Sequence, residues 1–371
     1  NDQLATDSRV RLPIAAFGGD GDDILTGGAA DDMLSGDAGN DVLTGAGGND
    51  TLAGGTGNDR YVFDTNSQLD RDAINEQTDA GIDLLDFSQT STLPVRIDLA
   101  SAGWQQVNRN LRLTLVSGEV IENVQGGSRA DTLLGNSLDN LLTGNDGNDQ
   151  LEGRGGNDTL VGGTGDDSYM FDADVSLGAD VVDERPDGGS DLISFAATTL
   201  SSVRIDLGLA VQQVVNEHLS LHFTSDRAVE NVVGGALDDI LTGNTLPNRL
   251  DGRGGNDQLE GGAGNDTLNG GAGDDSYVFD TDSSLGSDTV IDPLGVNSLD
   301  FTRTASQSIS VDLSNNRTQA VNINLILQLS AGSSIYRVAG GDRNDVLTGN
   351  RLNNILFGGP GNDILTGAGG D

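Results

Sequence analysis

Nine residues is the period that governs this chain. From Gly18 it reads GGDGDDILT, GGAADDMLS, GDAGNDVLT, GAGGNDTLA and GGTGNDRYV without a gap. Each copy fits Gly-Gly-x-Gly-x-Asp-x-apolar-x with a few lapses; the eighth position is Leu25, Leu34, Leu43, Leu52 and Tyr61. Six turn residues followed by three strand residues leave no room for a helix. The glycines permit positive φ and close backbone approach, and a three-residue strand points its middle side chain inward. One repeat cannot bury a single Leu alone. Stacked in parallel, two repeats to a coil, the Leu residues form a narrow ladder with odd and even repeats on opposite walls.

The block of five returns at 126–171 and 234–279, and part of a fourth runs from Gly340 to the end. Block starts at 18, 126, 234 and 340 define a unit of about 108 residues. Residues 1–17 match the tail of a preceding spacer. Unit 1 then spans 18–125 (block 18–63, spacer 64–125). Unit 2 spans 126–233 (block 126–171, spacer 172–233), and unit 3 spans 234–339 (block 234–279, spacer 280–339). Residues 340–371 open a fourth unit. The chain begins without Met and stops in mid-motif at Gly369-Gly370-Asp371, as a segment of a longer protein would.

Composition removes several functions. With 58 acidic against 19 basic residues the net charge is −39, which excludes binding nucleic acid through its phosphates. All 19 basic residues are Arg, so no Lys is present to form a Schiff base, and with no Cys there is neither disulfide, thiolate metal site nor cysteine nucleophile. No apolar run approaches the 18 or so residues of a membrane helix. Such charge with 4% aromatics suits a disordered chain, yet apolar residues make up 35% and recur in phase.

Stacking creates an electrostatic problem. Sixth-position Asp side chains of successive coils lie only about 4.8 Å apart and repel. A cation between the turns removes the conflict. Carboxylates and turn carbonyls form an all-oxygen set, which favours Ca²⁺ over Mg²⁺ with its tighter octahedron and retained waters.

These blocks resemble the repeats-in-toxin (RTX), or hemolysin-type, calcium-binding nonapeptides, here in eighteen in-phase copies and a partial one. The resemblance implies an all-β, right-handed parallel β-roll or β-solenoid, with Ca²⁺ held between the turns of repeats i and i+2. As ligands it implies Asp23, Asp32, Asp41, Asp50, Asp59, Asp131, Asp149, Asp158, Asp167, Asp239, Asp257, Asp266, Asp275, Asp345 and Asp363, with turn carbonyls. Roughly ten ions are expected. The second repeats of blocks two to four depart: Asn140, Asn248 and Asn354 stand sixth, and Leu138, Leu246 and Leu352 replace the fourth Gly. Weaker or missing sites are expected there.

Spacer runs Tyr61–Phe63, Leu84–Phe87, Val95–Leu99, Leu111–Leu115 and Ile121–Val124 read as strands that continue the solenoid, the alternative being a separate β-sandwich. If every coil stacks, an elongated rod on the order of 90 Å results. His218 and His222 enter a strand rather than a helix and read as surface residues. Asp280-Thr281-Asp282-Ser283-Ser284-Leu285-Gly286 imitates an EF-hand opening, but Ile291 holds the place of the twelfth-position Glu, so EF-hand is rejected; a solvated cation site with Asp288 stays open. Asn-Asp-Thr at 49, 157 and 265 is a sequon by letter and a by-product of the repeat. Trp104 occurs in one spacer only, and no zinc-protease or serine-hydrolase motif occurs.

The expected function is non-enzymatic: a calcium-folded structural section of a large bacterial protein, extracellular or on the cell surface, as filament, matrix or adhesin stalk. Type I secretion before folding is what the RTX resemblance implies. Two alternatives stand beside it: a secretion and folding module of a larger toxin or hydrolase, and an adhesin whose spacers bind glycan or protein. Calcium ions are the expected partners, with self-assembly or matrix contacts besides, and neither nucleic acid nor membrane insertion.

Overall fold

The computed structural model describes residues 1–6, 11–77, 81–185 and 189–370. Positions 7–10 of the expected leading tail, and Asp371 of the partial fourth unit, lie outside them. Among the described residues there is no helix; the regular elements are short strands, most of them three residues long. They form an all-β parallel β-roll, divided into two compact units: residues 1–170 with 177–189, and residues 171–176 with 190–371.

In the first unit one wall runs Ile24–Thr26, Val42–Thr44, Arg60–Val62, Leu84–Asp86, Asn123–Gln125, Leu141–Asp146, Thr159–Thr164 and Gly178–Val182, each parallel to the next. Spacer strands therefore sit in the same sheet as block strands. Register follows the 18-residue coil, with Leu25 opposite Leu43 and Leu43 opposite Tyr61. The inward ladder Leu25, Leu43, Tyr61, Leu85, Val124, Leu142, Leu160 and Val182 is buried throughout. A second wall carries Met33–Ala38, Thr51–Thr56, Asp70–Ile74 and Leu111–Leu115. A third starts at Arg96–Asp98 and takes up the odd repeats of the next block.

The second unit repeats the scheme. Arg204–Asp206, Ile240–Thr242, Gln258–Glu260, Ser276–Val278, Asn297–Asp300, Ile335–Ala339 and Ile355–Phe357 make one wall. Leu192–Ser194, Asn231–Val233, Arg249–Asp251, Thr267–Asn269, Gly286–Val290 and Leu325–Leu329 make another.

Two features depart from the sequence expectation. The strand expected at Ile121–Val124 lies at Asn123–Gln125, because Val124 continues the apolar ladder between Leu85 and Leu142. And not every pair is parallel. Each spacer folds back once, pairing Gly103–Asn108 with Leu111–Leu115, Gln213–Val214 with Leu219–Phe223 and Gln319–Ala320 with Leu325–Leu329 in antiparallel fashion. Such a hairpin strand covers an edge that would otherwise offer unpaired backbone groups. Trp104 stands 70% exposed on the first hairpin, with the Arg112 guanidinium 5.5 Å from its ring centre.

Aromatic residues mark the exit from each block. Phe63 stacks on Phe87 with ring centres 5.2 Å apart, and Phe279 on Phe301 at 5.2 Å. Tyr61, Tyr169 and Tyr277, the inward residues of the last repeat in blocks one to three, are fully buried. Each hydroxyl accepts the N–H of the first glycine of its own repeat, Gly54, Gly162 or Gly270, and donates to a spacer carboxylate, Glu76, Glu184 or Asp292.

Leu160 is 0% exposed in mid-ladder. Leu160→Ala should lower stability by about 2–5 kcal/mol, read as a lower denaturant midpoint in saturating calcium.

Candidate metal centre

The sixth-position side chains do not point to solvent. Those of the regular repeats in blocks one to three are 1–3% exposed, as is Asp345 at 1%. Each presents Oδ1 to the preceding coil. Asp23 N–H donates to Asp41 Oδ1 at 2.7 Å, Asp32 to Asp50 at 2.8 Å, Asp131 to Asp149 at 2.7 Å, Asp239 to Asp257 at 2.8 Å and Asp257 to Asp275 at 2.8 Å. Backbone and carboxylate thus form a continuous inner ladder. An outer ladder, unforeseen from the sequence, runs the opposite way through the fifth position. Asn40 N–H donates to Asp22 Oδ1 at 3.0 Å, Asn157 to Asp139 at 2.7 Å and Asn256 to Asp238 at 2.7 Å. Its signal was the near-constant Asp or Asn at that position. Asn49 and Asn157 of the sequons are tied into it by their own side chains.

What happens to the second carboxylate oxygen divides the turns into two kinds. Where the fourth residue in the first three blocks is a left-handed Gly, as at Gly39 (φ 138°) or Gly156 (φ 126°), the sixth-position Oδ2 is buried. Asp23, Asp41, Asp50, Asp149, Asp158, Asp257, Asp266 and Asp275 have no hydrogen-bond partner there. Where Ala30, Arg129, Leu237 or Arg343 stands fourth, the turn reorients. The second residue then donates its N–H to Oδ2: Gly28 to Asp32 at 2.6 Å, Gly127 to Asp131 at 2.6 Å, Gly235 to Asp239 at 2.7 Å and Gly341 to Asp345 at 2.8 Å. The Asn turns belong to this second kind. Asn136 N–H donates to Asn140 Oδ1, Asn244 to Asn248 and Asn350 to Asn354. The Asn140 and Asn248 amides donate to Glu122 O and Glu230 O. Leu138 is held without a glycine, its N–H donating to Asn136 Oδ1 at 2.9 Å.

The first kind of turn fits a cation. At both kinds of turn the first glycine leaves an oxygen-lined cradle that a Cβ would fill, but only in the first kind does the Oδ2 there have no donor. A Cβ on Gly18 would fall 2.2 Å from Asp23 Oδ2 and 2.7 Å from Gly36 O; on Gly144, 2.1 Å from Asp149 Oδ2 and 2.6 Å from Gly162 O. No imidazole joins a metal-capable group among the described residues. His222 lies on the outward side of Leu219–Phe223 and His218 lies before it. A carboxylate set with carbonyl oxygens and no nitrogen or sulfur suits a hard divalent ion.

The ladder also runs past the blocks. Asp72, Asp83, Asp180, Asp288 and Asn297 in the spacers accept the N–H of Asp50, Asp59, Asp158, Asp266 and Asp275. Asp288, considered above for a solvated site, is 1% exposed. Asp282 instead pins a loop, accepting from Ala305 N and Ser306 N.

Burial, then the neighbouring acids, pushes Asp149 and Asp257 up to about 8, against the single N–H that each accepts from the preceding coil. Burial also raises Asp131 and Asp239, but to about 6, where a second N–H, from Gly127 or Gly235, favours the charged form and fewer acids repel it; Asp266, raised by burial alone, likewise reaches about 6.

The family model for the RTX calcium-binding nonapeptide repeat (4 copies) matches at 16–43, 27–61, 134–169, 233–268, 242–277 and 339–371, together under half of the chain. The nonapeptide blocks are RTX calcium-binding repeats. No curated protein matches the chain.

Acids raised in the folded state bind protons there more tightly than in the unfolded chain, so without metal their stability contribution is lost as pH rises from about 4 to about 8. Calcium-free protein should therefore hold more strand structure, and hold it to a higher temperature, at pH ~5 than at pH ~8, where little or none should remain. Saturating calcium should remove or reverse that order. Thermal melts by circular dichroism at the two pH values check it. Gly156→Ala should also destabilise, by more than about 1 kcal/mol, since φ is positive there. The added Cβ would meet Leu138 O at 2.3 Å.

Proposed function

With RTX calcium-binding repeats as its blocks, we propose that this chain is a structural section of a large secreted or cell-surface bacterial protein, built to fold when it meets calcium outside the cell. The observation that carries this reading is the rank of buried carboxylates whose Oδ2 has no partner. In the proposal the ions sit at the turns with a left-handed fourth glycine. Their ligands are Asp23, Asp41, Asp50, Asp59, Asp149, Asp158, Asp167, Asp257, Asp266, Asp275 and Asp363, together with turn carbonyls. The turns of Asp32, Asp131, Asp239, Asp345, Asn140, Asn248 and Asn354 hold themselves by hydrogen bonds and take calcium weakly or not at all.

Bound calcium supplies positive charge between stacked turns; the chain supplies everything else. Oδ1 locks each carboxylate to the neighbouring coil and the first glycine leaves the gap. The ligand set exists only once the coils stack, so binding free energy is folding free energy. In a calcium-poor cytosol the same acids repel one another and leave the chain unfolded for type I export. Roughly ten ions would bring about +20 against the −39 of the chain, leaving it acidic enough to stay solvated.

The units 18–125, 126–233 and 234–339 are the modules in this proposal. Spacer strands share sheets with the blocks, which favours length for its own sake, as in a filament, matrix or stalk, over a short secretion module.

Far-ultraviolet circular dichroism with and without a calcium chelator tests the proposal. Strand signal should appear with calcium and collapse on chelation; unchanged strand content and melting temperature would sink it. Asp158→Ala should weaken calcium binding in its own block and leave the 234–279 block intact, as nearest-neighbour stacking requires. Calcium titration followed by limited proteolysis of the two blocks reads that difference.

A further inference from the structure

Each spacer begins with a degenerate nonapeptide just beyond the residues that the family model matches. Those matches end at 61, 169 and 277 in blocks one to three. Leu69-Asp70-Arg71-Asp72-Ala73-Ile74, Leu177-Gly178-Ala179-Asp180-Val181-Val182 and Leu285-Gly286-Ser287-Asp288-Thr289-Val290 follow. All three lack the leading glycine pair and keep the second half of the repeat: a turn residue fourth, Asp sixth and an apolar residue eighth.

The backbone treats them as one more coil. Gly178 has φ 99°, Gly286 φ 97° and Asp70 φ 66°, all left-handed as in the regular fourth-position glycines. A Cβ on Gly178 would fall 2.0 Å from Gly156 O, and one on Gly286 1.8 Å from Gly264 O, which is the close stacking of successive turns. Asp50, Asp158 and Asp266 each donate their N–H to the new carboxylate, Asp72, Asp180 or Asp288, at 3.0 Å. These three acids are 1–2% exposed.

Accepting one N–H does not require a charge. On the other wall Asn297 does the same for Asp275 at 2.8 Å with a neutral amide. A second buried carboxylate beside Asp158 therefore has another reason to be there. Asp180 Oδ2 has no hydrogen-bond partner, and neither has Asp158 Oδ2. Two buried, neighbouring carboxylate oxygens without donors call for a cation.

We propose that Asp180 is a calcium ligand, holding one ion with Asp158 where the second block passes into its spacer, and that Asp72 and Asp288, which take the same ladder N–H from Asp50 and Asp266 beside an unpartnered block oxygen, do the same at their own joins. The proposal rests on the calcium reading of the blocks and extends the ion ladder into sequence that the nonapeptide motif does not cover. The ion there ties the first spacer coil to the block, so that the spacer folds with the block rather than as a separate body.

The test is the full chain carrying Asp72→Asn, Asp180→Asn and Asp288→Asn together. Asn keeps the side-chain oxygen that accepts the ladder N–H and removes the charge. Equilibrium dialysis with radioactive calcium should count three fewer ions than in the unsubstituted chain, with strand content in saturating calcium retained. An unchanged count overturns the proposal, whereas an unsubstituted chain that binds no calcium overturns the block reading itself. Should the triple variant not fold, crystals of the unsubstituted chain soaked in terbium decide. Anomalous density within bonding distance of Asp180 Oδ2 supports the ligand role, and its absence there while the block turns are filled overturns it.

Discussion

In the regular repeats of the first three blocks a coil buries its carboxylate beside that of the coil before it, and the two cannot part. Oδ1 of one is hydrogen-bonded to the backbone N–H of the other, so neither side chain can swing to water without breaking the stacking that defines the fold. Desolvated like charges at about strand spacing are tolerated only when a proton or a cation neutralises them. Protonation can carry that role in acid; at neutral pH the proposed calcium would carry it. The apolar ladder of Leu and Tyr supplies the core of the blocks, but each three-residue strand adds one inward side chain to set against the buried carboxylates.

The two kinds of turn give this dependence a pattern. A left-handed glycine in fourth place leaves Oδ2 facing an oxygen-lined gap; any other residue there brings the second-position N–H round to satisfy it. Self-satisfied turns occupy the first two repeats of the second, third and fourth blocks, next to the preceding spacer, where Asn136 and Asn244 also bond spacer carbonyls. The entrances of these three blocks are therefore held by hydrogen bonds, while the block interiors keep buried oxygens without donors. At the block exits the tyrosine hydroxyl joins the last turn to a spacer carboxylate, making the join part of the core rather than a linker.

Much of this was legible from residue spacing. The period of nine, with Leu25 and Leu43 two repeats apart, sets the coil, the parallel register and the thin core, because a three-residue strand has one inward side chain. The Asp of each repeat could be assigned to a turn for the same reason. The spacers were harder. Asp70–Ile74 escaped notice because it mixes acids with a single Ile, and Gly103–Asn108 because an antiparallel return has no counterpart in the repeat. Among the fifteen aspartates and three asparagines singled out, spacing treated all the aspartates alike.

The sequence by itself determined that the chain coils, which residues line the core and which acids come together, since periodicity alone dictates which side chains share a wall. Only the tertiary structure decided what each acid meets there. Whether an Oδ2 finds an N–H depends on the φ of a residue two positions earlier, and whether a spacer Asp joins the ladder depends on a coil lengthened from 18 to 22 residues coming back into register. Both are matters of backbone path through space, which residue types constrain but do not spell out.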